Sequence, residues 1–113
     1  MSQDVVVTDI IVGEGKAVVK GALLITHYTG WLSNGTEFDS SHRRGSMFQC
    51  VIGTGRVIKG WDIGLMGMRV GGKRRLQVPA HLAYGERQVG NMIPANSDLV
   101  FEIELFDVLT RDD

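Results

Sequence analysis

The chain has a single cysteine, Cys50, among its 113 residues. No internal disulfide can form, which points to a reducing, cytoplasmic setting. The neighbours Gln49, Val51 and Ile52 make Cys50 a buried strand residue rather than a reactive thiol. Only two prolines occur, and no repeat, low-complexity tract or linker is visible. No apolar run approaches the roughly 18 residues of a membrane span. The start, Met1-Ser2-Gln3-Asp4, has no basic region followed by an apolar one, so no signal peptide is expected. A charge excess is missing as well. Twelve basic residues against 13 acidic leave a formal net charge of −1, which gives no general attraction to nucleic acid or to an anionic membrane.

The usual catalytic apparatus is equally sparse. His27, His42 and His81 fall in a strand, a loop and a possible helical turn, and no pair has metal-ligand spacing, so no metal is expected. No serine stands in a nucleophile-elbow motif. Neither Glu37 nor Asp39 has an evident acid partner. Gly67-x-x-x-x-Gly72-Lys73 nearly matches a phosphate-binding loop, but Arg74 replaces the metal-binding Ser or Thr. The residues after it alternate like a strand instead of opening a helix. Arg69, Lys73, Arg74 and Arg75 read as a solvated hairpin ahead of a partner surface.

What is present describes one domain over residues 1–113, with 1–4 and 110–113 as frayed tails. Such a chain buries about two-thirds of its unfolded surface. Ile58, Trp61, Leu65 and Met68 recur on one face of a helix. Gly60, Gly64 and Gly67 form a second stripe, at about 1 kcal/mol each against alanine. That helix needs something large packed closely on it. Strands are expected over Val5–Val12, Met47–Ile52, Lys73–Val78 and Leu99–Leu109. Ala17–Leu32 reads as one long strand or two in series, with Lys20-Gly21 as the interruption. Asn34-Gly35 is a hairpin turn. Ser40–Ser46 reads as loop, Ala80–Ala83 as one helical turn, and Tyr84–Asp98 as a long loop of the kind that carries function. The result is an α+β fold, with five or six mostly antiparallel strands curved around one short helix.

Eight aromatic residues remain, and core packing is the default for each. Three features mark a site. Phe38 carries a carboxylate beside it in Asp39, Tyr84 opens the long loop, and Trp61 faces the sheet from the helix. An apolar cavity with a few convergent polar groups is the usual small-ligand site.

Several runs together identify a resemblance. They are His27-Tyr28-Thr29-Gly30, Gly35 to Ser41 with Phe38-Asp39, Val57-Ile58-Lys59-Gly60-Trp61-Asp62, Ala83-Tyr84-Gly85, Ile93-Pro94, and Leu99 to Leu105. In this order, over about residues 5–109, the chain resembles the FKBP family of peptidyl-prolyl cis–trans isomerases, as a minimal, bacterial-looking, single-domain member. The resemblance implies rotation of X-Pro bonds in polypeptide clients, without cofactor or covalent intermediate, and inhibition by tacrolimus and rapamycin. It implies a monomer. It makes Trp61 the pocket floor and Tyr28, Phe38, Phe48, Ile93 and Phe101 its walls. Val57 and Ile58 would line the entrance, with the Ile58 amide holding a substrate carbonyl and the Tyr84 hydroxyl donating to another. Asp39 would approach the polarised imide, and Arg44 would orient Asp39. A catalytically weak chaperone or docking module of the same family is the alternative. Glu86–Asn91, Val89, Ala95 and Cys50 depart from the family's usual residues, which bears on loop rigidity and substrate preference.

Overall fold

The computed structural model describes residues 4–110. The expected fraying of 1–4 and 110–113 therefore lies outside the described residues, apart from Asp4 and Thr110, neither of which belongs to a strand. Six strands run in the order β1 (Val6–Ile11), β2 (Leu23–Leu32), β3 (Glu37–Ser40), β4 (Phe48–Val51), β5 (Lys73–Val78) and β6 (Leu99–Leu109). Two short helices, α1 (Ser41–Arg44) and α2 (Lys59–Gly64), interrupt them. The sheet order is β1-β5-β6-β2-β3, and every pairing is antiparallel. β4 shares an edge of β2 with β3: β4 lies against Leu23–Thr26 and β3 against Thr29–Trp31.

The pattern of β6 explains its central place. Leu99, Phe101, Ile103 and Leu105 are buried while Glu102 and Glu104 alternate with them on the other face. Asn34 and Gly35 make the β2–β3 turn: Gly35 has φ of 92° and the Asn34 side chain accepts from the Thr36 amide at 2.9 Å. β2 begins only at Leu23 because Gly21, at φ 87°, turns the chain. Ala17 makes just an isolated bridge to Arg69.

The central helix packs as its glycines require, over a shorter span than its periodicity predicts. A Cβ on Gly60 would lie 2.4 Å from Val78 Cγ1, and one on Gly64 would lie 2.8 Å from Leu76 Cδ2. The backbone of α2 therefore rests directly on β5. The helix stops at Gly64, and Gly67 stands beyond it at φ 77°, in the turn rather than on the stripe. Leu65 and Met68 are still buried.

What ends the helix corrects the reading of the basic run. Arg74 is only 12% exposed at its side chain. Its guanidinium donates to Asp9 Oδ1 at 2.7 Å and to the carbonyls of Gly64 and Met66 at 2.9 and 3.0 Å. It satisfies carbonyls that a helix C-terminus leaves open. Arg69 donates to the Gly15 carbonyl, and Lys73 pairs with Glu102. Three of the four basic residues are thus divided among separate structural contacts, and Arg75 alone keeps the solvated position expected of all four.

Ser40–Ser46 also differs from the expected loop. The Ser40 hydroxyl accepts from the Arg43 amide, and Gly45 closes the turn at φ 71°, so Ser41–Arg44 forms a capped helical turn. The expected turn at Ala80–Ala83 is a 3-10 helix over Ala80–Leu82. No helix among the described residues is long and apolar enough to cross a membrane.

Candidate active site

Strands and helix bring distant aromatics to one place. Tyr28 comes from β2, Phe48 from β4, Trp61 from α2 and Phe101 from β6. The Trp61 ring meets Tyr28, Phe101 and Phe48 edge-on, with centroids 5.1, 5.5 and 5.8 Å apart. Edge-to-face contacts align the positive rim of one ring with the negative face of another. They hold the indole fixed as a floor. The Trp61 Nε1 donor is buried and has no hydrogen-bond partner among the described residues. Phe38 packs edge-on to Phe101 at 5.7 Å. Gly30 makes room for both, because a Cβ there would lie 2.6 Å from Phe38 and 3.0 Å from Phe101.

These residues enclose a cavity of about 200 Å³, lined also by Asp39, Arg56, Val57, Ile58 and Tyr84. Nine of the sequence-derived site residues therefore meet here: Tyr28, Phe38, Asp39, Phe48, Val57, Ile58, Trp61, Tyr84 and Phe101. Arg44 stands behind the lining and binds Asp39. Ile93, expected as a wall, is buried in the core and is not part of the lining. Arg56 is the lining residue that the sequence did not mark. Its only signal was its place directly before Val57.

The one lining carboxylate, Asp39, is held from three sides. Tyr28 Oη donates to its Oδ2 at 2.5 Å, the Ser40 amide donates to its Oδ1 at 2.9 Å, and Arg44 Nη1 donates to the same Oδ1. The Arg44 guanidinium also lies over the Tyr28 ring, 5.7 Å from its centroid. Burial, and then the hydrogen bond to Asp39, push the Tyr28 hydroxyl above its usual pKa, so it stays a donor. Burial and the charge of Asp39 do the same to Tyr84. The Ile58 amide has no hydrogen-bond partner among the described residues. Asp62, one turn along, accepts from the Gly53 and Gly55 amides at 2.6 and 3.0 Å and so fixes the loop that leads into the entrance. Burial, and then the charge of Asp62, raise the Cys50 thiol to about 11, so it is not a nucleophile at neutral pH.

An aromatic cavity with one oriented carboxylate, tyrosine hydroxyls and an open amide can desolvate and orient an amide group. Known proteins agree with this geometry. The family model for FKBP-type peptidyl-prolyl cis-trans isomerase matches residues 14–106. The chain is 48% identical over 103 residues to the FK506-binding protein of Neisseria meningitidis serogroup A, covering 91% of this chain and 94% of that one. It is 54% identical over 97 residues to FK506-binding protein 1 of Saccharomyces cerevisiae, covering 85% of each. The crystal structure of AtFKBP13 superposes with a TM-score of 0.85 at 43% identity, over 93% of both chains. The chain belongs to the FKBP-type peptidyl-prolyl cis–trans isomerase family.

Proposed function

We propose that the cavity between α2 and the sheet is where this isomerase turns the X-Pro bond, and that tacrolimus and rapamycin compete for it. The observation that carries the reading is the edge-packed floor of Trp61 with Asp39 clamped beside it by Tyr28 and Arg44.

Rotation about a peptide bond must cross about 18–20 kcal/mol because amide resonance is lost on the way. Resonance places negative charge on the carbonyl oxygen, and water stabilises it. Inside a dry aromatic cavity that ground-state support is withdrawn. The twisted amide has less charge on oxygen and loses less, so the cavity favours the transition state. Each ~1.4 kcal/mol so gained is tenfold in rate. Proline rests on Trp61 between Tyr28, Phe48 and Phe101. The Ile58 amide and the Tyr84 hydroxyl hold substrate carbonyls, which fixes the chain on either side of the rotating bond. Asp39 faces the polarised carbonyl carbon, and Arg44 keeps the carboxylate turned toward it. None of these steps uses a cofactor. The clients are proline-containing polypeptides, and we place the enzyme in the cytoplasm as a monomer, a setting that suits its lone buried thiol.

The test is cis–trans exchange of a short Leu-Pro-Phe peptide, followed by NMR with and without rapamycin. Rapamycin-sensitive exchange is expected. Tight rapamycin binding without catalysis would favour a docking module, and neither would remove the cavity from the reaction.

A further inference from the structure

Arg56 has a position unlike the other cations of the chain. It lines the active-site cavity, and it also lines a second groove of about 770 Å³ that adjoins it. That groove runs past Lys16, Lys20, Thr54 and Thr110, and no carboxylate of the described residues lines it. Arg56 and Lys20 make no ion pair or hydrogen bond among the described residues. Three other arginines are engaged, Arg44 with Asp39, Arg43 with Glu37 and Arg74 with Asp9, and Arg75 and Arg87 line neither the cavity nor this groove. The carboxylates near Arg56 are also committed. Asp39 is taken by Arg44 and Tyr28, and Asp62 by the amides of Gly53 and Gly55. One edge of the cavity therefore carries positive charge with no internal counterpart among the described residues.

We propose that Arg56 is a specificity-determining residue, which selects X-Pro substrates carrying an acidic side chain next to the proline pocket and leads that acidic segment toward Lys20 in the adjoining groove. This rests on the assignment of the cavity to X-Pro rotation. The proline itself fills the aromatic part of the cavity and contributes no charge. Discrimination falls to flanking residues, and the flank that leaves past Arg56 meets Arg56 itself and Lys20, neither of which has an ion-pair partner among the described residues. A carboxylate beside Arg56 gains Coulomb energy without breaking an Arg56 ion pair among the described residues, whereas a lysine there is repelled. Arg56 and Lys20 are exposed, so solvent and salt weaken the effect. Exposed pairs contribute about 0.2–1 kcal/mol, which converts to a preference of up to about fivefold per charge.

The experiment measures kcat/KM by NMR exchange for peptides that differ only in Glu, Gln or Lys, placed at each of the two positions on either side of the proline. At one flank the Glu peptide is expected to exceed the Lys peptide by about two- to fivefold or more at low salt, and the ratio should shrink toward one in about 0.5 M salt. Arg56→Glu should invert the Glu-to-Lys ratio at that flank. Lys20→Glu, outside the cavity, should reduce it. Each ratio is read within one variant, so a change in overall activity does not enter it. Turnover of the Gln peptides with no Glu-to-Lys discrimination at any flank would overturn this inference and leave the cavity assignment intact. Discrimination that Arg56→Glu leaves unchanged would also overturn it. Absence of exchange for every peptide would overturn both.

Discussion

Replacing Gly60 by alanine tests the contact on which the site is built. In an ordinary helix this change is favourable by about 1 kcal/mol. Here the new methyl would lie 2.4 Å from Val78 Cγ1 and 2.9 Å from Cγ2, where carbons prefer about 3.5–4.0 Å. Val78 is β-branched, fully buried and held in β5 between β1 and β6, so it has little room to rotate away. Overpacking of a tight core costs about 1–3 kcal/mol, and an overlap above about 1 Å belongs at or beyond the upper end of that range. The net loss is about 2 kcal/mol after the helix gain, or about 10 °C in Tm for a domain of this size. Trp61 follows directly, so a lifted helix displaces the floor and kcat/KM falls with stability. Val78→Ala alone removes two methyls and costs about 2 kcal/mol. In the double variant the methyl introduced by Gly60→Ala occupies the vacated space, so the protein should be more stable than the sum of the single losses by about 1–3 kcal/mol. Urea unfolding of the four proteins measures the cycle. A stabilised Gly60→Ala, or strictly additive losses, would refute the close-contact argument.

Three further outcomes follow from the same geometry. Tyr84→Phe should lower kcat/KM about two- to tenfold, the loss of one hydrogen bond to substrate, while its urea midpoint stays near that of the wild type. Arg74→Ala leaves the Gly64 and Met66 carbonyls and Asp9 without their donor and should cost about 2–3 kcal/mol in urea unfolding, with Arg74→Lys recovering only part. For Cys50, burial raises the folded thiol from 9.0 to about 11. The protonated thiol therefore supports the fold fully below pH 9, and that support is lost as pH rises through about 11. Urea midpoints measured from about pH 8 upward should fall more steeply for the wild type than for Cys50→Ala.

The parts of this molecule that could be read in advance are those with a regular period or a demanding turn. Alternation along Leu99–Leu105, the Asn34-Gly35 turn and the placing of Trp61 in a short buried helix each follow from local chemistry, and all three recur in the structure. Phe38-Asp39, Trp61 and Tyr84 mark an aromatic cavity from the residues alone, and the rest of its lining is legible only through the family motifs, because it is scattered from Tyr28 to Phe101 and nothing local joins it. What escaped depends on tertiary partners. Arg74 looked solvated because a strand pattern cannot show that a helix ends above it. The periodicity past Gly64 persisted although the helix did not, since Leu65 and Met68 are buried from a turn. Ile93 is as buried as Trp61 and Phe101 but is absent from the cavity lining. Arg56 belongs to no motif, and what distinguishes its charge is tertiary, the engagement of Asp39 by Arg44 and Tyr28 and of Asp62 by the Gly53 and Gly55 amides.

The scattering of the cavity over β2, β3, β4, α2, the loop at Tyr84 and β6 also bears on how the enzyme matures. No hairpin or fragment of the chain contains a working subset of the site. Tyr28 and Phe48 come from the paired strands β2 and β4, but the third ring against Trp61, Phe101, comes from β6, which lies between β2 and β5 and far along the sequence from Tyr28. Pairings across such long separations close late in folding, because chain entropy is surrendered before contacts reward it. A chain whose β6 is unpaired lacks Phe101 at the Trp61 ring, so the site is completed together with the centre of the sheet.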